Sequence, residues 1–146
     1  MSNTVSRSQK GLTLIEILVV MFILGLLITL VAPRVMNRTD DARLTKAKHD
    51  IRSIESALNL YKLDNFVYPS NDQGLLALVE QPSGTPEARN WKQDGYIERL
   101  PTDPWGYEYQ YLNPGNMGTI DIFSFGADGK PGGEDINADI GNWNLE

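Results

Sequence analysis

The sequence predicts an α+β fold in which a long N-terminal α-helix packs on a small antiparallel β-sheet. Residues 12–31 are almost all apolar, and apolar side chains recur at helical spacing over residues 44–61. Two strand-like runs, residues 107–112 and 119–125, are separated by a spacer rich in Asn, Pro and Gly. Such a spacer between two strands indicates a hairpin. With 146 residues, the chain is long enough for one domain of ordinary size.

The apolar run at residues 12–31 has the length of a membrane-spanning helix. At about 1.5 Å per residue, it reaches roughly 30 Å, the thickness of the hydrocarbon core of a bilayer. Arg7 and Lys10 precede the run and favour the cytoplasmic side for that end. A cleaved secretory signal is one alternative, but its apolar centre is shorter than this run and is followed by a small-residue cleavage site. A buried core helix is the other alternative, but a domain of this size has little surface with which to cover such a run.

One acidic residue, Glu16, lies inside this apolar run. A charge in the bilayer costs roughly 2.5 kcal/mol or more at the centre, so an acid there indicates a function and a partner. Residues 12–31 contain no Lys or Arg, and the partner therefore comes from another subunit or from a chain terminus. Cleavage between Gly11 and Leu12 would create an α-amine four residues from Glu16, and a staggered neighbouring copy could present that amine to the carboxylate.

The stretch KGLTLIE, residues 10–16, followed by the apolar run, resembles the N-terminal signal of type IV pilins and pseudopilins. The resemblance implies that a prepilin peptidase cuts after Gly11 and methylates the new N-terminus at Leu12. It also implies a role for Glu16 in assembly. Most members of the family carry Phe after the cut, and Leu12 is a mild departure because the position is apolar in both cases. A simple membrane anchor is the alternative interpretation.

Beyond the apolar run, the sequence predicts that the helix continues in amphipathic form. Pro33 removes a backbone donor and Gly25 is a weak helical position, so residues 25–33 are expected to be flexible or unwound in an assembled fibre. Asp40 and Asp41 are expected near a helix start, where the helix dipole favours acids. The apolar stripe then advances in steps of three and four residues: Leu44, Ala47, Ile51, Ile54, Leu58 and Tyr61.

Polar residues on the opposite face, and the segments after the helix, carry weaker signals. The charged face is interpreted as a mostly solvated surface; it holds Lys46, Lys48, Asp50, Arg52 and Glu55. His49, the one histidine, is interpreted as solvated rather than as a ligand or catalyst. Residues 71–79 are expected to form a short helix and residues 81–90 a loop.

Short motifs over residues 61–115 resemble the major pseudopilins of type II secretion systems. They are YKLDN, YP, QGL, GY, LP, DPWG and NPG. Turn chemistry and core packing also explain the Pro, Gly and Trp residues in them. With the N-terminal signal, the resemblance spans essentially the whole mature chain, whereas ordinary major pilins resemble it at the signal and little beyond.

This resemblance implies a leader at residues 1–11, a transmembrane or fibre-core helix at 12–33 and a periplasmic globular domain at 34–146. It implies a structural subunit that polymerises into a periplasmic helical fibre and helps push folded exoproteins through the outer-membrane secretin. The implied partners are further copies of the chain, minor pseudopilins, the inner-membrane assembly platform and prepilin peptidase. The implied location is the inner membrane of a Gram-negative bacterium. The alternative is a type IV pilin or competence-type pseudopilin subunit.

The stretch from Phe125 to Trp143 concentrates acids among glycines. Asp128, Glu134, Asp135 and Asp139 fall within twelve residues. Composition leaves two interpretations, which are a solvated disordered loop and a site for a hard cation such as Ca²⁺, which is held by about six to eight oxygens. The D-x-D-x-D-G spacing of an EF-hand is absent.

The resemblance to major pseudopilins favours calcium, because these proteins bind one Ca²⁺ in this loop in place of the C-terminal disulfide of many pilins. Matched position by position, Asp128 and Asp139 are side-chain ligands and Asp135 is a third. Phe125 and Lys130 would contribute main-chain carbonyl oxygens. Glu134 and Asn137 are interpreted as solvated, and Ile140 and Trp143 are expected to anchor the loop to the sheet.

Composition also limits the classes of function. The net charge of −6 and the lack of a basic stripe argue against a nucleic-acid partner. The sequence has no cysteine, which excludes thiol catalysis, disulfides and zinc sites of the cysteine type. There is one histidine and no G-x-S-x-G or P-loop motif. We therefore predict a structural protein rather than an enzyme or an anchored binding domain.

Overall fold

The computed structural model describes residues 13–146, and it describes the backbone alone for residues 30–37. Helix α1 spans Leu14–Asn65. The chain divides into two compact units, with the boundary between Thr39 and Asp40. The expected leader and the Gly11–Leu12 bond lie outside the described residues.

In the first unit, residues 14–28 of α1 expose their apolar side chains. Thirteen of them are large hydrophobic residues with 49% to 79% of their surface exposed: Leu14, Ile15, Ile17, Leu18, Val19, Val20, Met21, Phe22, Ile23, Leu24, Leu26, Leu27 and Ile28. Contiguous apolar surface of this kind normally marks an interaction site or a membrane contact.

A search of the described residues finds no helix that is both long enough and apolar enough to cross a membrane. The segment predicted to do so, residues 12–33, lies partly outside the described part of the chain. Leu12 and the side chains of residues 30–33 belong to the part that is not described. The prediction of a transmembrane segment therefore stays a prediction.

In the second unit, the predicted apolar stripe of α1 is confirmed as the core. Ala47, Ile51, Ile54, Leu58 and Tyr61 are at most 1% exposed, and Leu44 is partly buried beside them. The stripe packs in one cluster with apolar residues from the rest of the unit: Ala57, Leu75, Ala77, Leu78, Ala88, Tyr109, Ile120, Ile122 and Ile140. The helix and the sheet thus share a single hydrophobic core.

The sheet has three antiparallel strands in the order β1-β2-β3. They span Gln110–Leu112, Asp121–Ser124 and Ile140–Gly141. The predicted α+β class and the hairpin between the first two strands are confirmed, but both strands are shorter than the runs predicted for them. The third strand was not predicted, because a strand of two residues leaves no periodic signal in the sequence.

Two local predictions about helices are wrong. No helix begins at Asp40 or Asp41, because α1 continues through both residues. Residues 71–79 do not form one helix; a turn is followed by a 3₁₀ helix at Leu75–Leu78. Gly74 ends the turn with a φ of 56°, a left-handed conformation that interrupts regular helix geometry.

Two buried carboxylates hold the turns around the sheet. Asp121 is 2% exposed and accepts hydrogen bonds from three amides of the hairpin loop, those of Asn116 at 2.6 Å, Met117 at 2.9 Å and Gly118 at 3.0 Å. Asp103 accepts bonds from the amides of Trp105 and Tyr107 and from the hydroxyl of Ser124. The DPWG motif is therefore explained by turn chemistry, as the sequence predicted.

A hydrogen bond joins α1 to the residue that precedes β1. The hydroxyl of Tyr109 donates to Oδ2 of Asp50 at 3.0 Å. Burial raises the pKa of Tyr109, and the neighbouring Asp50 carboxylate raises it further. Both effects favour the protonated phenol, which is the form that donates this hydrogen bond.

Candidate functional site

Glu16 lies in the first turn of α1, where it forms a capping box with Thr13. The amide of Thr13 donates to Oε2 of Glu16 at 3.4 Å, and the amide of Glu16 donates to Oγ1 of Thr13 at 3.3 Å. This reciprocal pair satisfies two amides that a helix start otherwise leaves without partners. Among residues 13–146, no ion pair involves Glu16. Its carboxylate is exposed and available to a cationic group.

The acidic loop, residues 125–139, connects β2 to β3 and folds back on itself. The amide of Ala127 donates to the carbonyl of Ile136 at 2.8 Å. The carboxylates of Asp128 and Asp139 accept bonds from the amides of Lys130 at 3.1 Å and Gly132 at 3.0 Å, respectively. Both carboxylates are thus held by one short turn at residues 130–132.

Asp139 has one carboxylate oxygen with no hydrogen-bond partner. Oδ2 accepts from the amide of Gly132, but Oδ1 is buried and makes no hydrogen bond with any residue that the structure describes. A buried carboxylate oxygen normally has a partner, since its desolvation is costly. A cation beside Oδ1 would supply the missing interaction, and carboxylate oxygens are ligands that Ca²⁺ prefers.

The remaining predicted ligands do not form a recognisable metal-binding cluster with Asp128 and Asp139. Within the part of the chain that the structure describes, no group of three or more His, Cys, Asp or Glu side chains is arranged to hold a metal. Asp135 is exposed and begins the 3₁₀ helix Asp135–Asn137 with a φ of 54°. The ring of Phe125 packs edge-on against Phe123 at 5.2 Å, and Lys130 is exposed. The calcium site, with Asp128, Asp139 and Asp135 as side-chain ligands, therefore stays a prediction.

Comparison with known proteins identifies the family. The family described as type II secretion system protein G matches residues 34–143, about three quarters of the chain. This chain belongs to the type II secretion protein G family. A second family, the prokaryotic N-terminal methylation motif, matches residues 6–32 and so includes Gly11, Leu12 and Glu16.

Individual members of the protein G family agree with this assignment. The type II secretion system core protein G of Pseudomonas aeruginosa is 60% identical over 137 residues, covering 94% of this chain and 96% of that protein. The protein of the same name from Vibrio cholerae is 55% identical over 140 residues, covering 96% and 95%. The crystal structure of the major pseudopilin of the type 2 secretion system of enterohaemorrhagic Escherichia coli matches with a TM-score of 0.66 at 55% identity, over 74% of this chain and 92% of that one.

Family membership confirms the function expected from the resemblance, that of a structural pseudopilin subunit of type II secretion. The alternative, a type IV pilin or competence-type pseudopilin, is not favoured. None of the matched names describes an enzyme. A pseudopilin of type II secretion acts in a pseudopilus together with other components of that system.

The C-terminal segment, residues 142–146, contacts the polar face of α1 and is called the strap below. Lys48 Nζ donates to the main-chain oxygen of Glu146 and Arg52 to that of Leu145, both at 2.8 Å. The side-chain amide of Asn142 donates to Glu55 at 3.3 Å. Of the face predicted to be mostly solvated, Lys46 and Arg52 are exposed, as predicted, whereas Lys48, Asp50 and Glu55 are half-buried. His49 is exposed, as predicted.

No sequence signal could have found the contacts of the strap, because each pair lies more than 80 residues apart along the chain. The two residues expected to anchor the loop do contact the sheet region. Ile140 is 5% exposed within β3, and the ring of Trp143 lies 5.7 Å from that of Phe123.

Two adjacent glycines of the acidic loop offer a matched test of its packing. Gly132 and Gly133 both have positive φ, 90° and 87°, but a Cβ on Gly132 would meet nothing within 4 Å whereas one on Gly133 would lie 2.3 Å from the carbonyl oxygen of Asn137. We expect Gly132→Ala to lower the free energy of unfolding by about 1 to 2 kcal/mol through backbone strain alone. Gly133→Ala should lose roughly 1 to 3 kcal/mol more through steric overlap. Urea unfolding measures both, and equal losses would contradict the loop packing.

Proposed function

We propose that the chain is processed to a mature pseudopilin that polymerises into a periplasmic helical fibre and helps push folded exoproteins through the outer-membrane secretin. One observation carries this proposal: an N-terminal methylation motif at residues 6–32 directly precedes the protein G region at 34–143. Prepilin peptidase, minor pseudopilins and the inner-membrane assembly platform are the partners that the proposal requires. Before assembly, the chain is anchored in the inner membrane with residues 34–146 in the periplasm.

The exposed apolar surface of residues 14–28 supports assembly. Thirteen large hydrophobic side chains in this stretch are about half exposed or more. Such a surface is not stable in water and requires cover. In this proposal, lipid covers it before assembly and the helices of neighbouring copies cover it in the fibre.

Processing is the first testable step. We expect cleavage between Gly11 and Leu12 and methylation of the Leu12 amine. Intact-mass measurement on protein extracted from membranes would detect the loss of residues 1–11 and the added methyl group. A strain without prepilin peptidase is the control. Finding residues 1–11 still attached in a strain with active peptidase would exclude the proposed processing.

Assembly tests the role of Glu16. We expect Glu16→Ala to be inserted and cleaved normally but to form few fibres, because the amine of a neighbour's Leu12 would lose its counter-charge. Removing one partner of a buried ion pair typically costs about 3 to 5 kcal/mol. Fibre yield and the cleaved fraction are both read by immunoblot of sheared and membrane-bound protein.

A matched variant separates ion pairing from helix capping at Glu16. Thr13→Ala removes the hydroxyl that caps the amide of Glu16 but leaves the carboxylate in place. We expect this variant to keep most of its fibre yield, since a lost cap costs only about 1 kcal/mol. Normal assembly of Glu16→Ala, or equal loss in both variants, would contradict the pairing.

We further propose that the acidic loop binds one Ca²⁺. Asp128 and Asp139 are the side-chain ligands, Asp135 is a third, and Phe125 and Lys130 provide carbonyl oxygens. The buried, unpartnered Oδ1 of Asp139 is the observation that favours a cation. The ion would supply the positive charge that lets carboxylates lie close together, and it would fix the loop in a chain that has no disulfide.

Calcium should therefore stabilise the protein. Binding to the folded state alone adds RT ln(1 + [L]/Kd), or roughly 2.7 kcal/mol at a hundredfold excess over Kd. We expect the melting temperature in detergent to fall with chelator and to recover with Ca²⁺ more than with Mg²⁺, which demands a stricter octahedral site. Asp128→Ala and Asp139→Ala should melt at the same temperature with and without Ca²⁺.

Glu134→Ala provides the control, because Glu134 is exposed and outside the proposed ligand set. It should keep the full response to Ca²⁺. Parent protein whose melting ignores both chelator and Ca²⁺ would show that the loop is a solvated acidic segment.

A further inference from the structure

We propose that Asn144 is a positioning residue that holds Asp139 in place for the cation, and that the strap transmits this hold from α1. The proposal rests on the proposed calcium site and adds a residue outside its ligand set. Asn144 does not itself bind the ion. It acts through the main chain of Asp139.

The side chain of Asn144 makes two hydrogen bonds across β3. Its Nδ2 donates to the carbonyl of Asp139 at 3.0 Å, and its Oδ1 accepts from the amide of Gly141 at 2.8 Å. The amide of Asn144 also donates to the carbonyl of Gly141 at 3.1 Å. These bonds fix the chain on both sides of Ile140 and so fix the point from which the Asp139 side chain extends.

The position of Asp139 decides where its free oxygen lies. The bond from the amide of Gly132 to Oδ2 holds one end of the carboxylate, and the bond from Asn144 holds the main chain. With both ends held, Oδ1 is kept buried without a partner. An oxygen held in this way is ready for a cation, because little ordering entropy is lost when the ion binds.

The strap itself is tied down on either side of Asn144. Asn142 precedes it, donates to the carbonyl of Ile120 at 3.0 Å and accepts from the amide of Ile122 at 3.1 Å. The two residues after Asn144 receive the bonds from Lys48 and Arg52 of α1. The polar face of α1 is thereby connected to the proposed ligand Asp139 through a few hydrogen-bonded residues.

Asn144 is exposed and does not belong to the hydrophobic core. Its loss should therefore leave the hydrophobic core intact. A residue of this kind, which orients a ligand through a hydrogen bond, typically changes metal affinity by about 10- to 100-fold when it is replaced. A positioning residue changes the affinity for the metal but not the stability of the metal-free protein, whereas a residue with a general structural role changes both.

The test compares Asn144→Ala and Asn144→Asp with the parent, using the full chain in detergent. We expect both variants to bind Ca²⁺ roughly tenfold or more weakly by titration, while the melting temperature in chelator stays that of the parent. Asn144→Asp keeps an acceptor for Gly141 but lacks the donor to Asp139. Because it also adds a negative charge, a purely electrostatic effect would strengthen Ca²⁺ binding, so weaker binding would identify the lost donor as the cause.

A metal-free measurement and two controls complete the experiment. In chelator, the amide of Gly132 should exchange its hydrogen faster in Asn144→Ala, because Asp139 is no longer held in place to accept from it. Asn116→Ala replaces another exposed asparagine whose side chain makes no hydrogen bond among the described residues, and it should bind Ca²⁺ as the parent does. Arg52→Met should weaken binding by a smaller factor than Asn144→Ala, whereas Arg43→Met, on the same helix but paired with Asp40, should not change it.

The outcomes distinguish this proposal from the calcium site on which it rests. Unchanged affinity in Asn144→Ala, with a parent that binds Ca²⁺, would overturn the positioning role and leave the calcium site standing. A melting temperature lowered equally with and without Ca²⁺ would also overturn it, since that is a structural effect. A parent that does not bind Ca²⁺ would overturn both.

Discussion

The burial of one face of α1 is the constraint on which the globular unit depends. Ile51, Ile54, Leu58 and Tyr61 are almost completely buried against apolar residues of the loops and the sheet. Burying a large apolar side chain typically contributes about 1.5 to 3 kcal/mol, whereas one hydrogen bond contributes about 0.5 to 1.5 kcal/mol net. The apolar stripe therefore sets the rotation of this part of α1, and the polar contacts adjust to it.

Once the stripe fixes the helix, the position of its polar face follows. Lys48, Arg52 and Glu55 are spaced by four and three residues, so they lie along one side of α1. That side meets the strap, which each of the three contacts through a hydrogen bond. These exposed bonds add little stability one by one, but together they give the strap a defined course. The strap in turn defines the end of the acidic loop at Asp139.

The sequence predicted the elements with strong local signals and missed those that depend on distant partners. The stripe has a period that only a helix satisfies, and the hairpin spacer contains its own turn residues, so both were found. The helix predicted over residues 71–79 is interrupted at Gly74. This residue has a positive φ, and the pattern of apolar residues gives no sign of that conformation. The strand at Ile140–Gly141 exists only because β2 lies beside it. The acids of the loop were noticed by composition and assigned by family resemblance, but which oxygen lacks a partner depends on amides in the folded turn.

Three aspartates of this chain show how the number of available donors decides the role of a carboxylate. Asp121 is surrounded by three amides, and Asp103 by two amides and a hydroxyl, so each is satisfied within the protein and acts as the cap of a turn. Asp139 receives one amide on Oδ2 and nothing on Oδ1, although Oδ1 is buried as well. Among the described residues, the carboxylates of Asp121 and Asp103 thus have their hydrogen-bond donors, whereas that of Asp139 has one oxygen without a donor. A buried carboxylate oxygen without a partner is costly, and the Ca²⁺ that we propose for this glycine-rich acidic turn would supply the missing interaction.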